Sequence, residues 1–118
     1  MGTAFKDLIV WQRAVQMSLA IYRFTSSFPV VEQYGLTSQL RRAAVSVASN
    51  IAEGYGRSTR GEYVQSLGHA RGSICEIQTQ LVIASGLGYG KEELRKAADN
   101  LTNEVSRMLV AIMRKLQQ

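Results

Sequence analysis

Residues 63–84 read YVQSLGHARGSICEIQTQLVIA, and this stretch decides the fold. Apolar or small side chains recur in it at alternating spacings of four and three, at Tyr63, Leu67, Ala70, Ile74, Ile77, Leu81 and Ala84. Such spacing places all of them along one seam of an α-helix, the arrangement that packs helices in coiled-coil fashion within a bundle. The stretch therefore predicts a long core helix in an all-α protein.

Two helices are predicted before this seam. The first runs from about Asp7 to Thr25 and ends before Phe28-Pro29, because a proline pushes the preceding residue out of the α region. The second runs to Gly54 and starts near Thr37 or Ser38, either of which can cap it.

The seam helix and one further helix complete the chain. Thr59-Arg60-Gly61-Glu62 reads as a capping box, in which the Thr hydroxyl and the Glu carboxylate each satisfy a backbone donor at the start of the third helix. The glycine-rich residues 86–90 predict a turn, and a fourth helix runs from about Lys91 to Lys115. Four helices with short connections predict an antiparallel up-down bundle, with residues 1–118 forming one domain.

The helices carry more apolar surface than one core needs. The first helix has two apolar stripes, and the one with Trp11 and Tyr22 is predicted to face the core. The back of the third helix carries glycines that each cost about 1 kcal/mol relative to alanine, which predicts close approach of another backbone there. We therefore predict a homo-oligomer, with the interface candidates Val10, Met17, Ile21, Val45, Ala48, Gly68, Gly72 and Cys75.

The composition is basic, with 14 Lys and Arg against 9 Asp and Glu, a formal net charge of +5 and an isoelectric point near 9.7. A field of this sign attracts polyanions. The lone Cys75 excludes an internal disulfide and favours a reducing compartment. Neither a signal-peptide pattern after Met1 nor an apolar run of about 18 residues is found. We expect a cytoplasmic protein with no membrane partner.

Five arginines make residues 41–71 the most basic part of the chain. Guanidinium groups bind phosphate oxygens in a bidentate way and release counterions, which predicts contacts to RNA or another anion. The alternative is that the arginines are solvated or paired with nearby glutamates. The candidate anion contacts are Arg41, Arg42, Arg57, Arg60 and Arg71, and the candidate structural ion-pair partners are Glu53, Glu62 and Glu76.

The sequence offers little for catalysis. His69 and Cys75 are the only residues of their types and lie on different faces of one helix, so neither a metal site nor a Cys-His nucleophile is expected. We also expect no cofactor. The stretch 54–57 lacks the lysine and spacing of a phosphate-binding P-loop, which favours a helix cap there. Tyr55 and Tyr89, in predicted loops, are the better candidates for stacking on bases.

Several motifs, in order over nearly the whole chain, resemble one known family. The most specific is the run 39–57, QLRRAAVSVASNIAEGYGR. Others are Asp7-Leu8-Ile9-Val10-Trp11-Gln12, Phe28-Pro29, Tyr34-Gly35-Leu36, Ala70-Arg71-Gly72-Ser73 and Leu87-Gly88-Tyr89. In these residues the chain resembles the 23S rRNA intervening-sequence proteins, also called S23 ribosomal proteins, which are related to the accessory variability determinants of diversity-generating retroelements.

The resemblance implies a four-helix bundle that assembles into a ring-like homopentamer and is often encoded within inserted segments of ribosomal RNA genes. For the retroelement relatives it implies a basic oligomer that engages a reverse transcriptase and its RNA. Our first hypothesis is a non-catalytic oligomeric accessory protein that binds RNA or another polyanion through the five arginines. The alternative is a protein-protein scaffold without a nucleic-acid ligand.

Overall fold

The computed structural model describes residues 4–118, in which four α-helices and no strand occur. The helices are α1 (Ile9–Thr25), α2 (Leu36–Tyr55), α3 (Arg60–Gly86) and α4 (Glu92–Leu116), with short 3-10 helices at Phe5–Asp7 and Val30–Glu32. The predicted all-α class with four helices is confirmed. The expectation that no signal-peptide pattern follows Met1 falls partly on residues 1–3, which lie outside the described residues.

The four helices pack in a ring around one core. α1 and α3 each contact both α2 and α4, and the body measures 45 × 25 × 24 Å. α2 and α3 are antiparallel, because Ser46 is hydrogen-bonded to Ser73 (Oγ to Oγ, 3.0 Å) while Gly54, further along α2, lies beside the earlier Ser66. A Cβ atom on Gly54 would lie 2.7 Å from that of Ser66, so this glycine permits close contact between the two helices.

The seam of α3 forms the middle of the core. Leu67, Ile74 and Ile77 are 0% exposed and Leu81 is 1% exposed, while Tyr63 is half-buried at the end of the seam. Each such buried aliphatic side chain contributes about 1.5–3 kcal/mol relative to an exposed one. Along residues 4–118, no helix combines the length and apolarity that crossing a membrane requires.

The start of α2 differs from the prediction. Gly35 is the N-cap and contributes no side chain, so neither Thr37 nor Ser38 caps the helix. Instead, the backbone N–H of Leu36 donates to Glu32 Oε1 at 3.0 Å. The Glu32 carboxylate, from the preceding 3-10 helix, therefore caps α2. Its negative charge also interacts favourably with the positive end of the helix dipole.

The two ends of α3 follow local sequence signals. The Glu62 N–H donates to Thr59 Oγ1 at 3.1 Å, which confirms the N-cap. The Glu62 carboxylate accepts from the Thr59 hydroxyl (2.9 Å), however, and not from a backbone donor. After Gly86, the turn contains Gly88 and Gly90 at φ of +74° and +75°, a left-handed conformation that glycine adopts without steric cost.

Candidate binding surfaces

α1 buries the stripe that was predicted to lie at an oligomer interface. Val10 is 2% exposed, and Met17 and Ile21 are 0% exposed, all in the same core cluster as Phe24. No surface of these three side chains is left for another subunit, so their prediction as interface residues is wrong. When one helix has two stripes of similar apolarity, the sequence does not indicate which stripe faces the core. The packing of α1 against α2 and α4 determines it.

The other stripe of α1 remains at the surface. Leu19 is 49% and Tyr22 is 42% exposed, so the predicted burial of Tyr22 is also wrong. Trp11 is half-buried, and its ring packs edge-on against Phe5 at a centroid distance of 5.3 Å.

This outer stripe meets the small-residue stripe of α2. Together they line a groove of about 470 Å³, here called the apolar groove, formed by Trp11, Val15, Ser18, Leu19, Tyr22, Val45, Ala48, Ser49 and Ala52. Two of the predicted interface residues, Val45 and Ala48, therefore lie in it. A contiguous apolar surface of this kind is typical of a contact site for another protein surface.

The glycine-bearing back of α3 has two different surroundings. Gly68 is half-buried, and a Cβ atom there would lie 4.0 Å from Met113 Cε of α4, so this glycine faces a helix of its own chain. A Cβ on Gly72 would meet no atom within 4 Å, and Cys75 is exposed. Gly72 and Cys75 are accessible, whereas Gly68 lies at an intramolecular contact.

The Arg41 side chain is hydrogen-bonded to α1. Its Nε donates to Thr25 Oγ1 (2.9 Å), its Nη2 donates to the Tyr22 carbonyl (3.3 Å), and its guanidinium lies 4.5 Å from the centre of the Tyr22 ring. Thr25 is itself buried and donates to the Ile21 carbonyl at 2.8 Å. The guanidinium is therefore held in one place, with its Nη1 edge unused by these contacts.

Arg41 and Arg42 share a second groove. It has a volume of about 560 Å³, is here called the basic groove, and is lined by Tyr22, Gln33, Tyr34, Thr37, Ser38, Arg41, Arg42, Val45 and Ser46. None of these lining residues carries a carboxylate. Arg42 is exposed and takes part in none of the ion pairs found within residues 4–118. Since Tyr22 and Val45 line both grooves, the basic and apolar grooves adjoin.

Glu32 carries the carboxylate nearest in sequence to the basic groove, and both of its oxygens accept hydrogen bonds from groups that do not line the groove. Glu32 Oε1 accepts from the Leu36 N–H, and Glu32 Oε2 accepts from the Tyr89 hydroxyl at 3.0 Å. That hydrogen bond, with a smaller effect of burial, raises the pKa of Tyr89 above its ordinary value. The first turn of α2 has no acidic residue of its own, and the Glu32 carboxylate lies at the positive end of its dipole.

Arg57 and Arg60 lie at the other end of α2. Arg57 follows the end of α2 and forms an ion pair with Glu53 in the last turn of that helix, and Arg60 is exposed at the start of α3. The distance along the helix from Arg42 to the end of α2 is roughly 20 Å at 1.5 Å per residue. These two arginines are therefore remote from the basic groove.

Arg71 is separate from both groups. It lies two positions before Ser73, which contacts α2, and two positions correspond to a rotation of about 200° on a helix. Arg71 is exposed and points away from α2, where Arg42 lies. The structure thus brings Arg41 and Arg42 together at one groove and places Arg57, Arg60 and Arg71 apart from it. Anion binding by these three arginines stays a prediction. Arginines close in sequence are separated here by helix rotation and by the length of the bundle.

The glutamates predicted as ion-pair partners also differ among themselves. Glu53 pairs with Arg57, whereas Glu62 is bonded to the Thr59 hydroxyl and is in none of the ion pairs found between residues 4 and 118. Glu76 is in none of them either, although it lines a small polar pocket between α2 and α3 together with Arg42. Glu76 is therefore a neighbour of Arg42 without a direct contact.

The tyrosines predicted to stack on bases are committed to contacts within the chain. Tyr55 is half-buried at the end of α2 and packs against Tyr63, with ring centres 6.0 Å apart. Tyr89 packs against Phe28 at 5.4 Å. The prediction missed Tyr34, which is 90% exposed on the basic groove. Two signals in the sequence could have indicated it: its position two residues before the helix that carries the paired arginines, and its place in the motif Tyr34-Gly35-Leu36.

His69 and Cys75 are both exposed on α3, and their six-residue separation rotates them by about 120° relative to each other. Among residues 4–118, no group of three or more His, Cys, Asp or Glu side chains is arranged to hold a metal ion.

Comparison with known proteins agrees with the resemblance noted in the sequence. The family model described as 23S rRNA-intervening sequence protein matches residues 6–111. A crystal structure from Bacteroides thetaiotaomicron VPI-5482, of a protein with unknown function from the S23 ribosomal protein family, superposes with a TM-score of 0.79 at 19% sequence identity. The match covers 89% of this chain and 98% of that one, and at this identity it shows a shared fold alone. No curated protein sequence matches significantly.

The family match extends from before α1 into the last two turns of α4, and so includes both grooves. The chain belongs to the 23S rRNA-intervening sequence protein family.

Proposed function

We propose that this protein is a non-catalytic, oligomeric accessory protein of the cytoplasm that binds RNA or another polyanion at the basic groove. One observation carries the proposal: two guanidinium groups from adjacent residues, Arg41 and Arg42, line one groove whose lining residues include no carboxylate. Phosphate oxygens are the natural partners of such a pair.

The two arginines contribute in different ways. Arg41 is already held by Thr25 and Tyr22, so little side-chain entropy is lost when its Nη1 edge binds a phosphate. Arg42 is exposed and adjusts to the ligand. Arg57, Arg60 and Arg71 lie elsewhere, and in this proposal they add only to the long-range field of a chain with net charge +5.

The proposed self-association uses the apolar groove. Leu19, Val45 and Ala48 present apolar surface there that the chain itself does not cover. Burial of such surface against a second copy is favourable by about 25 cal/mol per Å². The number of subunits, five, comes from the family resemblance. A ring would repeat every basic groove and raise the local potential.

The alternative function, a protein-protein scaffold without a nucleic-acid ligand, is favoured by the same apolar groove. Salt dependence separates the two functions, because phosphate binding weakens steeply as salt rises whereas apolar association does not.

The polyanion site is tested by titrating a fluorescently labelled structured RNA and following its anisotropy between about 50 and 200 mM salt. We expect wild-type binding to weaken steeply with salt, and Arg42→Gln to weaken binding further and flatten the salt slope by about 1. Arg107→Gln, at an exposed arginine on α4, is the charge-matched control. Wild-type protein that fails to bind at the lowest salt would refute the polyanion site and leave the scaffold.

The oligomer is tested by light scattering on wild type and on two exposed apolar positions changed to glutamate. Leu19→Glu alters the apolar groove, whereas Val82→Glu alters the back of α3, where Val82 is 72% exposed. We expect wild type to be oligomeric and only Leu19→Glu to dissociate it. Dissociation by Val82→Glu alone would place the contact on α3, beside Gly72 and Cys75.

A further inference from the structure

Tyr34 differs from every other tyrosine of the chain. It is 90% exposed and lies between the 3-10 helix Val30–Glu32 and the start of α2. Along residues 4–118 its ring is in none of the aromatic or cation–π contacts. The remaining tyrosines each contact an aromatic ring or a guanidinium group: Tyr22, Tyr55, Tyr63 and Tyr89.

The position of this ring is as informative as its exposure. Tyr34 lines the basic groove together with Arg41 and Arg42. An accessible aromatic ring beside guanidinium groups is the combination that proteins use to bind single strands, because the ring stacks on a base while the cations contact the backbone.

We infer that the basic groove binds a single-stranded segment of RNA, in which one base stacks on Tyr34 and the flanking phosphates contact Arg41 and Arg42. The inference rests on the proposed function and deepens it by naming the form of nucleic acid that the site accepts. Within a duplex the faces of the bases are covered by their neighbours, so a duplex offers Tyr34 a face on which to stack only at its two ends.

The rest of the groove suits the same ligand. Gln33, Thr37 and Ser38 add an amide and two hydroxyl groups, which donate and accept hydrogen bonds and therefore complement base edges and the ribose 2′-hydroxyl. The volume of about 560 Å³ lies in the range of pockets that hold small organic ligands, so it accommodates a short stretch of strand. The fixed position of Arg41 gives the phosphate a defined place relative to the ring.

The test compares three labelled polyanions at one low salt concentration: a twelve-nucleotide oligo(U), an RNA duplex of the same length, and inorganic polyphosphate. Wild type, Tyr34→Leu and Tyr34→Phe are titrated against each by fluorescence anisotropy. Because Tyr34 is almost fully exposed, neither variant should alter the fold, and far-ultraviolet circular dichroism checks this.

We expect Tyr34→Leu to weaken oligo(U) binding about tenfold, as loss of one stacked base does. Tyr34→Phe keeps the ring and should bind within about twofold of wild type, and duplex and polyphosphate affinities should be the same in all three proteins. An equal oligo(U) affinity in Tyr34→Leu, or an equal loss for all three ligands, would overturn the single-strand inference while leaving polyanion binding intact. Absence of binding to all three ligands by wild type would overturn the proposed function as well.

Discussion

The two apolar stripes of α1 are alike in composition and opposite in placement. Val10, Met17 and Ile21 are buried in the core, whereas Leu19 and Tyr22 remain about half exposed in the apolar groove. The periodicity of a helix defines its faces but not the partners of those faces. Apolar surface beyond what the core needs therefore indicates association. The packing of the other helices decides which stripe of α1 remains exposed.

The largest expected effect separates the two stripes by stability. Ile21→Ala removes a fully buried side chain and should lower the free energy of unfolding by about 2–5 kcal/mol, through lost burial and a residual cavity. Leu19→Ala, at a position that is 49% exposed, should lower it by about 1 kcal/mol or less. Urea denaturation followed by circular dichroism measures both.

Protein concentration is the control for this comparison. Self-association stabilises the native state by an amount that rises with the logarithm of the subunit concentration, so a deficit of Leu19→Ala that grows at high concentration reports a lost subunit contact. Equal losses for the two variants at low concentration would contradict the assignment of inner and outer stripes.

A second pair of substitutions extends the comparison from α1 to the glycines. Gly90 has φ of +75°, and a Cβ atom there would lie 2.8 Å from Phe24 Cδ1, a ring with 0% exposure that cannot move aside. Gly90→Ala should therefore cost about 2–4 kcal/mol from overpacking and left-handed strain together.

Gly72 is the outer counterpart of Gly90. It is helical, and its Cβ would meet open space within the chain, so Gly72→Ala should raise the free energy of unfolding by about 0.5–1 kcal/mol. Thermal unfolding of both variants, with light scattering beside it, checks the pair. Gly72→Ala protein that is less associated than wild type would instead show that a second subunit approaches α3 at this glycine.

The elements that sequence predicts well are those set by local rules. The 4-3 repeat of apolar residues runs along the whole of one face of α3 only, so the sequence identifies its core face, and the Thr59 cap depends on residues three apart. The basic groove depends on contacts over longer separations: Arg41 is held by Thr25, 16 residues away, and α1 must already lie against α2 for that bond to form. The exposure of Tyr34 likewise follows from tertiary packing.

The Arg41 side chain contacts both the buried and the exposed side of α1. Its guanidinium contacts the buried Thr25 on one side and the exposed Tyr22 on the other. Arg41→Met removes two hydrogen bonds and a cation–π contact, and should lower the free energy of unfolding by about 1–2 kcal/mol. Arg42→Met, at an exposed neighbour in the same groove, should change it by about 0.5 kcal/mol or less.

Urea denaturation and RNA titration of these two variants separate stability from binding. Both should bind RNA more weakly than wild type, and only Arg41→Met should also unfold at lower denaturant. If Arg41→Met were as stable as wild type, the guanidinium would not be anchored in solution, and the preorganisation ascribed to it would fail.

The smallest expected effect compares the two ends of α2. Glu76 lines the same small pocket as Arg42, and its negative charge opposes phosphate binding there. Glu76→Gln should therefore tighten RNA binding about twofold, the size of effect that an exposed charge has on a close neighbour. Glu53→Gln is the matched control, because it releases Arg57 from its ion pair about 20 Å away along α2.

If RNA binds in the basic groove, titration by anisotropy should show tighter binding for Glu76→Gln alone. If all five arginines formed the site, releasing Arg57 would tighten binding at least as much, and that result would move the binding surface from α1 and α2 to the α2–α3 end of the bundle.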